Sequence, residues 1–140
     1  MNNYKELARA AISARRMAYA PYSKFYVGAA ILSTDGQIFT GCNVENAAYG
    51  AGICAERTAV FKAVSEGAQE FEAIAVCGGN ADLDVSAELP LTSPCGICRQ
   101  ALYEFGGDEL TVLLVQSEDK WTEMKLGELL TLGFGPKNLA

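Results

Sequence analysis

The spacing of apolar positions in residues 3–19 is that of a helix with one buried side. Charged and polar residues separate the apolar ones, and Pro21 follows shortly after the pattern ends. Because positions three and four apart share one side of a helix, this spacing predicts an amphipathic helix over residues 3–19. A proline disfavours helix in the residue before it, so the helix is expected to stop before Pro21. Its apolar positions include Leu7, Ala11, Ile12 and Ala18.

Two extended apolar runs predict a β-hairpin in the next part of the chain. They are FYVGAAILS, residues 25–33, and QIFTGCNV, residues 37–44, and Asp35-Gly36 lies between them. Asp-Gly between two such runs is a strong hairpin signal, because the glycine tolerates the backbone angles that a tight turn needs.

The remainder of the chain predicts helices that alternate with strands. Two of the strands are apolar at nearly every position, which is typical of strands covered on both faces. Gly67 and Gly106-Gly107 follow two of the helices and are suited to end them. The predicted order is helix 55–65, strand 71–79, loop 80–92, helix 96–105, strand 110–117 and helix 124–132.

This order of elements predicts an α/β fold in which helices cover both faces of a sheet. The chain has 140 residues, of which 50% are apolar, and this is enough to bury a core. No repeat or linker interrupts it, so we expect residues 1–140 to form a single domain. The fold we predict is a three-layer α/β/α sandwich with a mixed, roughly five-stranded sheet.

Charge and cysteine content restrict the setting in which the protein works. The net charge of −6 argues against nucleic acid as a partner, because non-specific binding to phosphates needs a basic surface. The N-terminal region has no continuous apolar segment, so neither secretion nor membrane insertion is expected. Five cysteines without an export signal favour metal ligands, catalytic thiols or core residues over disulfides, and favour the cytoplasm.

The chain contains no histidine. This excludes Ser-His-Asp and Cys-His catalytic systems and every zinc site that uses an imidazole. A carboxylate is therefore the expected proton-transfer group, with a pKa set by burial or by a neighbouring charge.

Three cysteines are predicted to lie at helix starts. Cys54 precedes the helix 55–65, and Cys95 and Cys98 form a Cys-x-x-Cys pair at the start of the helix 96–105. Free amide groups and the helix dipole stabilise thiolates at such positions. If two adjacent strands point these helix starts at one another, the three sulfurs form three corners of a tetrahedral zinc site. Three protein ligands leave the fourth position for water, as in catalytic zinc sites.

Two charged residues follow Cys54 directly. Glu56 is placed to transfer the proton of a water molecule at the fourth position. Arg57 is expected to donate hydrogen bonds to a metal-bound sulfur, since three thiolates give a single dication a net negative charge.

The combination of Cys54-Ala55-Glu56 with Pro94-Cys95-Gly96-Ile97-Cys98 fits the signature of zinc-dependent base deaminases. Over nearly its whole length the chain resembles the small homotetrameric cytidine deaminases. The resemblance implies one zinc ion per subunit, a homotetramer, and deamination of cytidine and deoxycytidine to uridine and deoxyuridine with release of ammonia. The blocks that carry it are residues 20–30, 41–50, 54–59 and 93–100.

The same resemblance implies roles in substrate binding. Asn43 and Glu45 match residues that hydrogen-bond the ribose. Phe25 matches an aromatic residue that packs on the pyrimidine, and the main chain of Ala55 matches a group that contacts the ring. Phe134 matches a phenylalanine that reaches into the site of a neighbouring subunit.

Two features depart from the family pattern. Thr131 stands where the family often has proline before the phenylalanine, which leaves the register of Phe134 open. The loop 80–92 is longer than expected and leads directly to Cys95, so it is a candidate for shaping access or a subunit contact.

Alternatives remain open at this stage. Phe25 can be a core residue and Asn43 a turn residue, while Cys42 and Cys77 are expected to be small buried residues and Arg99 a surface or interface residue. The Cys-x-x-Cys pair also suits a redox site. Two rival functions are a zinc deaminase for another aminopyrimidine, free or within nucleic acid, and a non-enzymatic zinc module. The latter requires a fourth protein ligand.

Overall fold

A mixed five-stranded sheet forms the centre of the molecule in a computed structural model that describes residues 4–83 and 87–140. Its strand order is β2-β1-β3-β4-β5. β3 and β4 run parallel, and each of the other neighbouring pairs runs antiparallel. The strands are β1 (Phe25–Ser33), β2 (Ile38–Cys42), β3 (Phe71–Asn80), β4 (Thr111–Ser117) and β5 (Lys120–Lys125).

Helices cover both faces of this sheet and confirm the predicted three-layer α/β/α sandwich. One face carries α1, and the opposite face carries α2 and α3. In the described part of the chain, no helix is both long enough and apolar enough to cross a bilayer. The α-helices are α1 (Tyr4–Arg15), α2 (Ala55–Ser65), α3 (Gly96–Gly106), α4 (Leu126–Leu129) and α5 (Pro136–Leu139), and short 3-10 turns span Tyr49–Ala51 and Gly107–Glu109.

The alternation of side chains along β3 shows why its sequence is apolar at almost every position. Ala73 and Ala75 lie in the core that includes α1, whereas Ile74 and Val76 lie in the core that includes α2 and α3. Successive residues of a strand point to opposite faces, so a strand covered on both sides has no polar face. Small residues on the α1 side let that helix approach the sheet closely.

The predicted hairpin and the helix over residues 55–65 are confirmed. The helix predicted over residues 3–19 is wrong at its end, since α1 stops at Arg15. Beyond it, the main-chain N–H of Tyr19 donates to the carbonyl of Asn43 at 3.0 Å, and the N–H of Glu45 donates to that of Tyr19 at 2.8 Å. Pairing with residues 43–45 replaces the last helical turn. Residue 3 lies outside the described residues.

The helix predicted over residues 124–132 is also largely wrong. Met124 and Lys125 belong to β5, and α4 contains four residues only. β5 pairs with β4 at the edge of the sheet, with Met124 opposite Val112. Three of the six residues in KWTEMK are charged, and this sequence carries little strand signal, so pairing with β4 decides its structure.

Arg15 has a structural role that the sequence pattern does not reveal. Its side chain is 8% exposed, and it donates hydrogen bonds to three main-chain carbonyls. The Nε group bonds Tyr26 at 3.0 Å, and Nη2 bonds Gly79 at 2.9 Å and Asn80 at 2.8 Å. The guanidinium therefore joins the end of α1 to the start of β1 and the end of β3.

Replacing Arg15 with methionine is expected to destabilise the fold by about 3 kcal/mol, because buried carbonyls lose charged hydrogen-bond donors. Urea unfolding followed by circular dichroism measures the change. Arg16→Met is the matched control, because Arg16 is the exposed neighbour. Equal free energies of unfolding for the two variants would contradict the assigned role.

Candidate active site

The sheet topology brings the starts of α2 and α3 to one edge. β2 and β3 each run antiparallel to β1, so they run in the same direction as each other. α2 follows β2 and α3 follows β3 in the chain. The sequence predicted that these two strands would be adjacent. They are not, because β1 lies between them. Their shared direction is sufficient to place both helix starts on the same side.

Three sulfur atoms meet at these helix starts. Cys54 is the N-cap of α2, Cys95 is the N-cap of α3, and Cys98 lies one turn into α3. The Sγ atoms all lie within 4.8 Å of one another, and those of Cys54 and Cys95 are 3.9 Å apart. Cys98 is buried, Cys54 is half-buried and Cys95 is exposed. The cluster is thus open to solvent on one side.

The dimensions of this cluster fit zinc. Zinc–sulfur bonds of about 2.3 Å in a tetrahedron place the sulfurs about 3.8 Å apart, close to the separation of Cys54 and Cys95. Within residues 4–83 and 87–140, no other cysteine or carboxylate joins the three sulfurs. Three soft ligands and one remaining position match the coordination of a catalytic zinc ion.

The charges around Cys54 favour a thiolate. Hydrogen bonding with Cys98 lowers the pKa of Cys54 to about 5, and the Arg57 guanidinium adds to the effect. The Arg57 Nη2 lies 3.5 Å from the Cys54 Sγ. The same interaction raises the pKa of Cys98, the other thiol of this hydrogen-bonded pair. Since zinc binds thiolates, this site already holds one ligand in the form that the metal needs.

Glu56 lies in the first turn of α2 and is only 4% exposed. Burial raises the pKa of Glu56 to about 7, and the charge of neighbouring Cys54 acts in the same direction. A carboxyl group with this pKa can hold or release a proton at neutral pH. Its proximity to the sulfur cluster therefore suits a proton-transfer role.

Two residues that the sequence analysis missed hold this turn of α2 in place. A Cβ atom at Gly41 would lie 2.6 Å from the carbonyl oxygen of Ala55 and from the amide nitrogen of Ala59. Only glycine allows β2 and α2 to approach so closely. The Thr58 hydroxyl adds hydrogen bonds to the carbonyls of Cys42 at 3.2 Å and Cys54 at 3.1 Å. The sequence signal for this contact is Gly41 itself, because a glycine within an otherwise regular strand often marks the close approach of another main chain.

A cavity of about 490 Å³ opens beside the sulfur cluster. Its lining includes Asn43, Glu45, Cys54 and Arg57, so two predicted ribose-binding residues share one cavity with a predicted metal ligand. Its volume lies within the range typical of small-molecule sites.

The side chains of Asn43 and Glu45 also bond to their own chain. The Asn43 Oδ1 accepts from the Val27 N–H at 2.9 Å, and its Nδ2 donates to the Phe25 carbonyl at 2.8 Å. Glu45 accepts hydrogen bonds from the Tyr22 and Ser23 amides at 3.0 and 3.1 Å, and from the Ser23 hydroxyl. Both side chains are thereby fixed in orientation at the cavity.

Comparison with known proteins decides the family. Residues 1–114 match the family model for the cytidine and deoxycytidylate deaminase zinc-binding region. The chain belongs to this deaminase family. The match covers all three sulfur ligands and Glu56, so zinc is the metal that the cluster binds.

Relatives and solved structures agree with this assignment. The chain is 46% identical to a cytidine deaminase of Sporosarcina psychrophila over 91% of this chain and 88% of the relative. It is 43% identical to a cytidine deaminase of Halalkalibacterium halodurans over 95% of each. The crystal structure of cytidine deaminase from Burkholderia pseudomallei superposes with a TM-score of 0.81 at 43% identity, covering 96% of this chain and 100% of that one.

The other predicted substrate contacts of this deaminase lie outside the cavity lining. Phe25 is half-buried at the start of β1, with its ring packed over Gly78. Ala55 is fully buried at the first position of α2. Phe134 is 60% exposed beyond α4, and its carbonyl accepts a hydrogen bond from Gln100 at 2.8 Å.

The two remaining cysteines differ in burial. Cys77 is fully buried, as expected, and burial raises the pKa of its thiol to about 11. Cys42 is half-buried at the end of β2, so the prediction of a buried residue is wrong there. Neither belongs to the sulfur cluster.

Proposed function

We propose that this chain catalyses the hydrolytic deamination of cytidine and deoxycytidine to uridine and deoxyuridine, with release of ammonia. The observation that carries the proposal is the meeting of three thiols with buried Glu56 beside a cavity of ligand size. Relatives named cytidine deaminase match nearly the full chain and support the choice of substrate.

Glu56 is the proposed proton carrier. Zinc held by Cys54, Cys95 and Cys98 supplies activated water. Glu56 accepts one proton from the attacking water and delivers it to N3 of the ring as the oxygen bonds to C4. Glu56 then passes the second proton to the amino group, the C4–N4 bond breaks, and ammonia leaves. Because the pKa of Glu56 is about 7, both directions of transfer are accessible at neutral pH.

Arg57 is proposed to offset the negative charge of the metal site. Three thiolates would exceed the charge of one zinc dication, which would reduce the ability of the metal to activate water. The Arg57 guanidinium lies within hydrogen-bond distance of the Cys54 sulfur and carries the compensating charge.

Substrate binding is proposed to use the residues implied by the family resemblance. An amide and a carboxylate offer more hydrogen-bond positions than Asn43 and Glu45 use within the chain, so each can still bond a ribose hydroxyl. Phe25 and the main chain of Ala55 are proposed to contact the base. Phe134 is proposed to complete the site of a neighbouring subunit.

The decisive experiment follows the ultraviolet absorbance of cytidine on addition of the protein. Conversion is expected to stop after treatment with a chelator and to return when zinc is restored. Because the site offers hydrogen bonds to the sugar, cytosine is expected to have a kcat/KM at least about 10²-fold below that of cytidine.

Different failures of this experiment have different meanings. If cytidine and deoxycytidine stay unchanged while another aminopyrimidine nucleoside loses ammonia, the substrate assignment is wrong and the zinc chemistry stands. If zinc is bound but no ammonia appears from any such nucleoside, the non-enzymatic zinc module is the better description. The three-ligand cluster in the described residues argues against that module.

We also propose a homotetramer that acts in pyrimidine salvage in the cytoplasm. Exposed apolar side chains support assembly, since Met17, Tyr49 and Leu132 are 77%, 82% and 98% exposed in the single chain. Reactive thiols as metal ligands support a reducing compartment.

A further inference from the structure

The side chain of Arg99 makes three hydrogen bonds that the chemistry proposed above does not use. Its Nε donates to the carbonyl of Pro94 at 2.7 Å, and its Nη2 donates to the hydroxyl of Ser93 at 3.1 Å. Its Nη1 donates to the carbonyl of Leu129 at 2.7 Å. All three nitrogens of the guanidinium are therefore engaged, and Arg99 is half-buried rather than a free surface residue.

Two of these bonds enclose the metal-binding pair. Ser93 and Pro94 immediately precede Cys95, and Arg99 immediately follows Cys98. The bonds from Arg99 therefore close the chain on both sides of the Cys-x-x-Cys sequence. Fixing the Pro94 carbonyl sets the direction from which Cys95 enters α3, and hence the position of its sulfur relative to that of Cys98.

The third bond reaches a distant part of the chain, which we call the C-terminal segment (residues 129–134). Arg99 bonds the carbonyl of Leu129, the first residue of the segment. The adjacent Gln100 donates a hydrogen bond of 2.8 Å to the carbonyl of Phe134, the last residue of the segment. Leu129 and Leu130 pack against the core that includes α3, but in the single chain Leu132 and Phe134 are 98% and 60% exposed, so their side chains contribute little packing that would hold residues 131–134. Its main chain is thus attached to the metal-binding helix by two neighbouring side chains.

We propose that Arg99 is a positioning residue that couples zinc binding by Cys95 and Cys98 to the order of the C-terminal segment. A planar guanidinium can bond both partners at once, whereas an ammonium group on a single flexible stem cannot reproduce this geometry. The coupling runs through the Arg99–Leu129 bond and is reciprocal, so zinc orders the segment at its Leu129 end and that bond supports the zinc site. This inference requires the zinc site described above, but it does not depend on the identity of the substrate.

Arg99→Lys separates geometry from charge, because it keeps the positive charge and removes the double bridge. Zinc release into a colour-forming chelator is expected to be about 10-fold faster or more than in the parent, the usual size of an effect from residues that orient metal ligands. Gln100→Ala is the matched control. It frees the Phe134 end of the segment without touching Ser93 or Pro94, so its zinc release is expected to stay at the parental rate.

Hydrogen exchange tests the coupling in the parent protein itself. Removal of zinc from the parent is expected to raise the rate of amide exchange in residues 129–134. In the Arg99→Lys protein, the exchange rate of these residues is expected to be high already and to change little when zinc is removed. Parental zinc release from Arg99→Lys would overturn the proposal. Unchanged exchange of the segment on zinc removal from the parent would overturn it equally, and this second measurement needs no variant. Neither readout depends on turnover of cytidine.

Discussion

The Glu56→Gln protein is expected to bind zinc as the parent does and to lose nearly all turnover of cytidine. The amide group of glutamine has the shape of the glutamate carboxyl group but cannot accept and return a proton. Loss of a general acid–base group typically lowers the rate by about 10²- to 10⁴-fold. The sulfur ligands are untouched, so the zinc stoichiometry is expected to remain one per chain. Initial rates by ultraviolet absorbance and zinc content by mass spectrometry measure the two properties separately.

The stability of the same variant checks the burial of Glu56. Since burial raises the pKa of Glu56 to about 7, the folded chain holds this proton more tightly than the unfolded chain. The contribution of Glu56 to stability is therefore present at low pH and is lost as pH rises through its folded pKa. A neutral amide removes this dependence, so the metal-free Glu56→Gln protein is expected to melt no lower than the metal-free parent at neutral pH.

Glu66→Gln is the control for the measurements of rate and zinc content. Glu66 is exposed at the opposite end of α2, so its replacement changes the same functional group on the same helix. It is expected to leave rate and zinc content at parental values. Substantial turnover by Glu56→Gln would exclude Glu56 as the proton carrier.

The Gly28→Ala protein is expected to fold poorly or not at all. A Cβ atom at Gly28 would lie 2.1 Å from the Ala11 carbonyl oxygen and 2.4 Å from the Arg15 amide nitrogen. Both contacts are to the main chain of α1, so no change of side-chain rotamer can relieve them. α1 would have to move off β1, which also disturbs the buried Leu7 and the hydrogen bonds of Arg15. A loss on the order of 3 kcal/mol or more is expected.

Urea unfolding of purified protein gives the magnitude of this loss, with soluble yield as the readout if the variant does not fold. Gly50→Ala is the matched control, because a Cβ atom at Gly50 meets no other atom within 4 Å. Its free energy of unfolding is expected to stay within about 0.5 kcal/mol of the parent. A Gly28→Ala protein as stable as Gly50→Ala would show that α1 does not pack on β1 as described.

Local patterns predicted the parts of this fold that local physics decides. The Asp35-Gly36 turn, the apolar run of β3 and the bounds of α2 depend on backbone angles and periodicity within a few residues. β5 and the end of α1 could not be predicted in the same way. Each takes its conformation from hydrogen bonds to a distant partner, β4 for the first and residues 43–45 for the second.

The candidate site divides along the same line. The sequence by itself determined which groups are present: three cysteines spaced for helix starts, a glutamate beside one of them, and no histidine to serve instead. Only the tertiary structure decided that the Sγ atoms of Cys54 and Cys95, which are 41 residues apart in the chain, lie 3.9 Å from each other. It likewise decided that Glu56 is buried deeply enough to raise the pKa of its carboxyl group. It also decided which residues hold the site, since Gly41, Thr58 and Arg99 act through contacts between separate elements. Residue identity sets the chemistry that is available, whereas distance and burial depend on strand order, which no local pattern encodes.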